Sequence, residues 1–140
     1  MIHESAESTG SAERLWELVR DIERWAERIP SVHAITHLDG PSPPAVGSRY
    51  TLEQLGLPPA VYEITEWDEA GRSFVWTSTA PGVRTSASHV VTALDAGSRL
   101  DLRVGFTGIL GALMGRAMKG KASRMVRTEA DAFARLAEKP

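Results

Sequence analysis

The last third of the chain carries the clearest pattern of apolar and polar positions. Over residues 99–106 every even position is apolar, which predicts a strand with one face covered. Over residues 110–136 apolar side chains recur about every 3.6 positions, which predicts one long amphipathic helix. A glycine-containing turn at 108–111 joins the two elements. A sheet closed over a single long helix tends to trap a cavity, so this pattern also predicts a binding pocket.

Shorter patterns predict the elements that precede this unit. Residues 1–9 form a short predicted strand, and helical spacing predicts a helix over 11–21 with Ser11 as its N-cap. A second short helix over 22–28 ends before Pro30, because the residue that precedes a proline avoids the helical region. The other predicted strands are 32–38, 48–55, 61–67, 74–79, 83–94 and 98–107.

Short turns separate the predicted strands, and such turns favour antiparallel pairing. In the strand at 32–38 the apolar positions do not alternate strictly, which allows a bulge there. The chain has no internal repeat, and its 140 residues suffice for a single domain, residues 1–140, with its own core. The order of strand, two helices, about six strands and a long helix predicts an α+β domain with its helices against one face of the sheet.

Composition and charge narrow the function classes. Hydrophobic residues make up 42% of the chain and charged residues 24%, as in ordinary globular domains. The net charge of −2 predicts neither a nucleic-acid partner nor attraction to an anionic membrane. Because the chain has no cysteine, disulfides, thiolate metal ligands and a cysteine nucleophile are excluded, which agrees with a reducing cytoplasm.

The first residues have neither the basic nor the apolar region of a signal peptide. The longest uncharged stretch, 104–115, is too short to span a bilayer. We therefore expect a cytoplasmic protein, a monomer or a homodimer, without membrane insertion.

Five short motifs are spread over nearly the whole chain. They are SAERLWELVRD at 11–21, Trp25 followed by IPSV at 29–32, VGSRY at 46–50, VYEITEW at 61–67 and AGSRL at 96–100. In order and spacing they resemble the polyketide cyclase/dehydrase-like branch of the START/Bet v 1-like (SRPBCC) superfamily. The resemblance implies the helix-grip fold: a curved antiparallel sheet of about six or seven strands wrapped around a long C-terminal helix, with two short helices after the first strand.

Two glycine motifs in the C-terminal helix lack the context that their usual functions require. Residues 115–123 spell most of a phosphate-binding P-loop, but Ala122 stands where the motif needs a Ser or Thr hydroxyl. Gly111 and Gly115 have the spacing of a membrane helix-dimerisation motif, but the adjacent Arg116 excludes that setting. More simply, these glycines lower the stability of the first turns of the helix, or they let a neighbouring element pack closely against it.

His33 and His37 are the candidate metal ligands. They lie four positions apart on a predicted strand, and Asp39 could supply a third ligand. The alternative is two partly exposed polar side chains. Neither an HExxH pattern nor a cysteine supports a metal site, so we predict no metal and no cofactor.

His89 and Tyr62 are the candidate catalytic residues. A histidine titrates near neutrality, so His89 could exchange protons with a ligand. The pattern of the strand that contains His89 does not show which of its faces is buried. An inward His89 would serve as a general acid or base, and an outward one would be an ordinary surface residue. If Tyr62 and Ile64 point inward, the Tyr62 hydroxyl can orient a ligand. Strand alternation places Glu53 and Arg103 on the solvent face.

The predicted ligand-binding residues are those that strand parity and the resemblance place around a cavity. They are Trp25, Tyr50, Tyr62, Ile64, Trp76, Phe106, Leu110, Met114 and Met118, and residues 110–115 form part of the predicted entrance. Tryptophan and methionine side chains also suit plain core packing, which is the alternative for these positions.

Three functions fit these expectations, because the superfamily hosts lipid binders, cyclases, hydrolases and regulatory proteins. The first is the binding of a hydrophobic or amphipathic small molecule, lipid- or polyketide-like, between the sheet and the C-terminal helix. The second is a polyketide cyclase or aromatase that uses His89 or Tyr62 as acid or base. The third is a non-enzymatic regulatory or interaction module, with an exposed apolar patch and no enclosed pocket.

Overall fold

A computed structural model describes residues 1–40 and 42–139, and its elements follow one another in the predicted order. They are β1 (Ile2–Ser8), α1 (Ala12–Arg20), a 3-10 helix (Ile22–Arg24), α2 (Trp25–Arg28), β2 (Val32–His37), β3 (Arg49–Gln54), β4 (Ala60–Asp68), β5 (Ser73–Ala80), β6 (Val83–Ala93), β7 (Ser98–Thr107) and α3 (Gly111–Ala137). Pro41, which belongs to a segment that the sequence predicts as a loop, and Pro140 lie outside the described residues.

Helix α1 begins at the predicted N-cap. The Ser11 hydroxyl accepts the backbone N–H of Arg14 at 3.1 Å, which satisfies one of the free donors of the first turn. Leu15, Leu18 and Val19 are all buried, because helical spacing places them on one face. That face packs toward α3, β6 and β7.

The strands of the described residues form one seven-stranded sheet. Its order is β1-β7-β6-β5-β4-β3-β2, and each neighbouring pair is antiparallel. The register of β2 on β3 shifts between Val32 and Ala34, and this irregularity explains why apolar positions do not alternate there. A second shift lies in β4 between Ile64 and Glu66. Such irregularities bend a strand, which helps the sheet to curl around α3. The predicted α+β helix-grip fold is confirmed.

Helix α3 packs unevenly along its length. Near its C-terminal end Phe133 and Ala134 are buried, and the Ser8 hydroxyl donates to the Ala134 carbonyl at 2.7 Å. Near its N-terminal end residues 112–114 are exposed. The C-terminal half of α3 therefore closes the core, whereas the N-terminal half borders open space. None of the described helices combines the length and the apolar character that a membrane crossing requires.

An aromatic cluster forms the centre of the core, beneath α1 and α2. Trp25 packs edge-on against Trp76 and Phe133, with ring centroids 5.1 Å and 5.5 Å apart. The Trp25 indole N–H donates to the Val19 carbonyl at 3.0 Å, so its one polar group is satisfied although the residue is only 1% exposed.

Candidate functional site

A cavity of about 290 Å³ lies between the inner face of the sheet and the N-terminal half of α3. Its open end is marked by the exposed lining residues Pro58, Pro59, Ala80 and Met114, and its inner end by the buried His89. The cavity thus runs from the solvent to the edge of the aromatic core.

The wall is built by alternate strand residues and by one face of α3. From the sheet come Leu52 and Gln54 of β3, Ala60 and Tyr62 of β4, Trp76, Ser78 and Ala80 of β5, Val83, Thr85, Ala87 and His89 of β6, and Leu102, Val104 and Phe106 of β7. Ser88 and Arg103, which interrupt this alternation, also border the cavity. From α3 come Met114, Met118, Ala122, Met125, Val126 and Glu129. Alternation follows from the twofold period of a strand, and the α3 residues follow helical spacing. Because the Ala122 side chain is short, this face of α3 leaves volume unfilled, and the flexible methionines can adjust to a bound molecule.

Strand β6 places His89 on the inner face of the sheet, a point that the sequence pattern did not decide. Ala87 and Val91 are buried on the same side of the strand. The His89 ring stacks on the Phe74 ring with a centroid distance of 4.1 Å and an interplanar angle of 6°. Trp76 meets the same imidazole edge-on at 5.8 Å. These contacts hold the imidazole in one orientation at the inner end of the cavity.

Glu129 faces His89 across the inner end of the cavity. His89 Nε2 lies 3.6 Å from Glu129 Oε2, and the two side chains are only 3% and 13% exposed. Charges interact more strongly in such a poorly hydrated place than in water. His89 Nδ1 has no hydrogen-bond partner among the described residues. Nδ1 is also fully buried, so the imidazole has one ring nitrogen that no described protein group uses.

Tyr62 adds a phenol to this polar end. Burial raises the pKa of Tyr62 to about 12, and the negative charge of Glu129 contributes to the increase. Its ring lies 4.9 Å from that of Trp76, so the two aromatic side chains form a continuous apolar wall. At neutral pH Tyr62 therefore keeps its proton and can donate a hydrogen bond.

The structure brings only part of the predicted set to the cavity. The lining includes Tyr62, Trp76, His89, Phe106, Met114 and Met118. By contrast, Trp25 and Ile64 lie in the core, 1% and 0% exposed, because α1 and α2 cover that end of the sheet. Leu110 is absent from the wall, since its backbone N–H donates to the Gly82 carbonyl at 2.7 Å and its side chain lies against Gly82.

Tyr50, the fourth predicted residue that the cavity lacks, borders a second and more polar cavity of about 230 Å³ near the 3-10 helix. Its hydroxyl has no hydrogen-bond partner among the described residues. Burial raises its pKa to about 12, helped by the negative charges of Glu23 and Asp39. His37 stacks on Tyr50 at 4.5 Å and places Nδ1 3.2 Å from Glu23 Oε1.

His33 and His37 have different surroundings. His33 is exposed, whereas the His37 side chain is 2% exposed beneath Glu23. Among the described residues no three His, Cys, Asp or Glu side chains form a group that could hold a metal ion. Glu53 and Arg103 are exposed, as strand alternation predicted, although Arg103 also borders the cavity.

Sequence reasoning missed Glu129. Its signal was present, because it follows Met118, Ala122 and Met125 at helical spacing on the same face of α3. It is also the first acidic residue after Asp101. Gln54, Ser78 and Thr85 supply further polar atoms to the wall, and no pattern in the sequence distinguished them.

The model of one protein family matches residues 2–138 of the chain, and that family is described as polyketide cyclase/dehydrase and lipid transport. No curated protein matches the sequence. Several solved structures share the fold. The Zhui aromatase/cyclase from Streptomyces sp. R1128 is 18% identical, with a TM-score of 0.78 over 98% of this chain and 92% of that one.

Two further solved structures share the fold. Norcoclaurine synthase from Thalictrum flavum, in complex with dopamine and hydroxybenzaldehyde, is 13% identical, with a TM-score of 0.74 over 96% of this chain and 84% of that one. A hypothetical protein from Helicobacter pylori is 13% identical, with a TM-score of 0.81 over 97% and 86% of the two chains. Such low identities establish the fold alone. The family match over nearly the whole chain shows that this protein belongs to the polyketide cyclase/dehydrase and lipid transport family.

Proposed function

We propose that the protein binds a hydrophobic or amphipathic small molecule in the cavity between the sheet and α3. The observation that carries this proposal is an apolar cavity of about 290 Å³ that opens to solvent and ends at a buried histidine and glutamate. Ligand sites in proteins are mostly apolar, with a few polar groups that fix orientation, and range from about 300 to 1,000 Å³. The volume lies at the lower end of that range, so a small or partly protruding ligand fits best.

The wall suggests how such a ligand would lie. An apolar or aromatic body would contact Tyr62, Trp76 and the methionines of α3, whose flexible side chains adapt to varied shapes. A hydroxyl, carbonyl or amine on the ligand would face His89 and Glu129 at the inner end. Burial of the ligand's apolar surface would supply most of the affinity.

A steric variant tests this proposal. Ala122 lines the cavity, whereas Ala117 on the same helix is exposed and outside the wall. Ala122→Phe should abolish saturable binding of anilinonaphthalene sulfonate, measured by fluorescence titration, and should remove any co-purified ligand seen by native mass spectrometry. Ala117→Phe should leave both unchanged. Binding that survives Ala122→Phe with unchanged affinity would contradict the proposal.

A polyketide cyclase or aromatase activity is the second candidate, favoured by the 3.6 Å approach of His89 Nε2 to Glu129 Oε2. In that reaction His89 would remove and return the proton that enolisation and dehydration move, with Glu129 stabilising the protonated imidazole. Tyr62, held neutral, would donate a hydrogen bond to a substrate carbonyl.

A single substitution separates the two candidates. His89→Gln keeps a polar side chain of similar reach but cannot accept and return a proton near neutral pH. If the protein is an enzyme, the variant should lose turnover of a poly-carbonyl model substrate by about a hundredfold or more, with ligand affinity nearly unchanged. Equal turnover by His89→Gln and the original protein would exclude His89 as acid or base.

The third candidate, an interaction module without a pocket, does not fit the cavity. It would leave the inward His89, Glu129 and Tyr62 without a role, although exposed apolar residues at the cavity mouth do occur.

A further inference from the structure

Three separate segments meet at the mouth of the cavity, and all three are apolar at their tips. In the turn before α3, Ile109 is 94% exposed, and Leu113 in the first helical turn is 63% exposed. The Leu110 N–H donates to the Gly82 carbonyl, which fixes the turn at 80–83 beside this segment. Ile109 and Leu113 therefore leave most of their apolar surface in contact with solvent.

The third segment is the loop at 55–59. The Lys121 ammonium donates to the Gly56 carbonyl, so this loop lies against α3. Leu55 in the loop is 60% exposed, and Pro58 and Pro59 are exposed where they line the mouth. Isolated exposed apolar residues are common, but a rim of them around a cavity marks an interaction surface. We call Leu55, Ile109, Leu110 and Leu113 the apolar rim.

The charges near Ile109, Leu110 and Leu113 are predominantly basic, and exposed Glu53 lies beside Leu55 at the other side of the apolar rim. Residues 102–128 contain six basic residues and no acidic one, and residues 54–62 and 70–94 contain no acidic residue. On α3, Arg116 and Arg124 follow Leu113 at helical spacing on the side opposite to Ala122, and both are exposed. The net charge of −2 therefore conceals a basic end of the molecule around an apolar tip.

We propose that the apolar rim docks on the surface of an anionic phospholipid membrane. Ile109 and Leu113 would enter the headgroup region, while Arg116 and Arg124 would lie close to the lipid phosphates. Apolar side chains combined with neighbouring basic ones are the features that bind interfacial helices to anionic bilayers. A second copy of the chain fits less well, because it would bring two basic ends together. This contact is peripheral and places the open end of the cavity against the lipid.

Vesicle sedimentation with the full chain tests this proposal. The probes are vesicles of phosphatidylcholine alone and vesicles that also contain about 30% phosphatidylserine. The protein should bind the phosphatidylserine vesicles, and raising the salt to about 0.5 M should weaken that binding severalfold. Arg116→Gln with Arg124→Gln should lower the affinity by about twenty-five-fold, since each arginine near an anionic surface contributes about fivefold. Ile109→Ser with Leu113→Ser should lower it by at least about tenfold.

Matched variants at other exposed sites serve as controls. Val46→Ser replaces an apolar residue that is 64% exposed, and Arg135→Gln neutralises an exposed residue at the other end of α3. Both should leave vesicle binding unchanged, and cavity binding of anilinonaphthalene sulfonate should persist in the rim variants. Equal binding to the two kinds of vesicle, or equal losses in rim and control variants, would overturn the proposal. So would sedimentation equilibrium showing a dimer that Ile109→Ser with Leu113→Ser dissociates, because the rim would then be an interface between copies.

Discussion

Tyr50 and Tyr62 are cross-strand partners in β3 and β4, yet their side chains border different cavities. The pKa of each is raised to about 12, mainly by burial. An ordinary tyrosine in the unfolded chain titrates near about 10. Both residues therefore stabilise the fold fully below pH 10, and this contribution is lost as the pH rises from about 10 to about 12.

The Tyr62 pKa provides a test of the inner end of the cavity. In a Tyr50→Phe background Tyr62 is the remaining tyrosine, so its titration can be followed by ultraviolet absorbance. Glu129→Gln should lower the Tyr62 pKa from about 12, because the phenolate would no longer face a carboxylate. The pKa should stay above its ordinary value, since burial remains. Glu23→Gln is the control, because that charge acts on Tyr50, and it should leave Tyr62 unchanged. An unchanged Tyr62 pKa in Glu129→Gln would show that the two groups do not interact.

At the scale of elements, α1 is defined by local sequence signals, whereas α3 is held in place by tertiary packing. Helix α1 has an N-cap, an acidic first turn and one apolar face, so its bounds follow from the sequence. Helix α3 lacks a side-chain cap at Leu110, and one side of its N-terminal half is exposed. Its C-terminal half, with Ala130 and Phe133 fully buried, anchors the helix. The N-terminal half can therefore serve a cavity without supporting the core.

The cap of α1 should be measurable. Ser11→Ala removes the acceptor for the Arg14 N–H and should lower the free energy of unfolding by about 1 kcal/mol in urea denaturation. Ser11→Asp is the control, because a carboxylate at the same position accepts this hydrogen bond and also favours the positive end of the helix. Its stability should lie within about 0.5 kcal/mol of the original protein. If alanine and aspartate have equal effects, the cap does not stabilise the helix.

At the scale of the whole molecule, the two ends of the chain close the fold together. The turn after β1 lies against the last turn of α3, where a side chain on Gly10 would overlap the backbone carbonyl of Ala137. The Thr9 N–H donates to the Glu138 carboxylate at 3.0 Å, and the Ser8 hydroxyl donates to Ala134. These contacts fix the C-terminal half of α3, and the cavity and its rim are left at the opposite end of the helix.

A pair of glycine substitutions tests this closure. Gly10→Ala should lower the free energy of unfolding by about 2 kcal/mol or more, because the added methyl group meets rigid backbone. Gly105→Ala is the matched control, since the nearest atom to its added methyl group is the flexible end of Met1 at 3.6 Å. The control should change stability by no more than about 0.5 kcal/mol. Thermal and urea unfolding would report both, and equal effects would mean that α3 shifts to accommodate the methyl group.

Much of the fold was predictable because local patterns repeat at the period of each element. The N-cap at Ser11, the alternation in β7 and the long apolar stripe of α3 depend on neighbours in sequence, and the structure confirms all three elements. Strand parity also predicted that Tyr62 and Trp76 lie on the inner face, where they line the cavity. Strand parity does not distinguish a residue of the core from one of the cavity wall, however. Trp25 and Ile64 lie in the core, and Tyr50 borders the second cavity.

The sequence by itself determined the order of elements, the antiparallel hairpins and the family, because these depend on periodicity, turns and motifs in neighbouring residues. Only the tertiary structure decided where the core ends and the cavity begins, since that depends on how far along the sheet α1 and α3 reach. It turned His89 inward, set Glu129 opposite it, and gathered an apolar rim and basic side chains at one end of a chain whose net charge is −2. Distances between residues far apart in sequence follow from packing, and no local pattern encodes them.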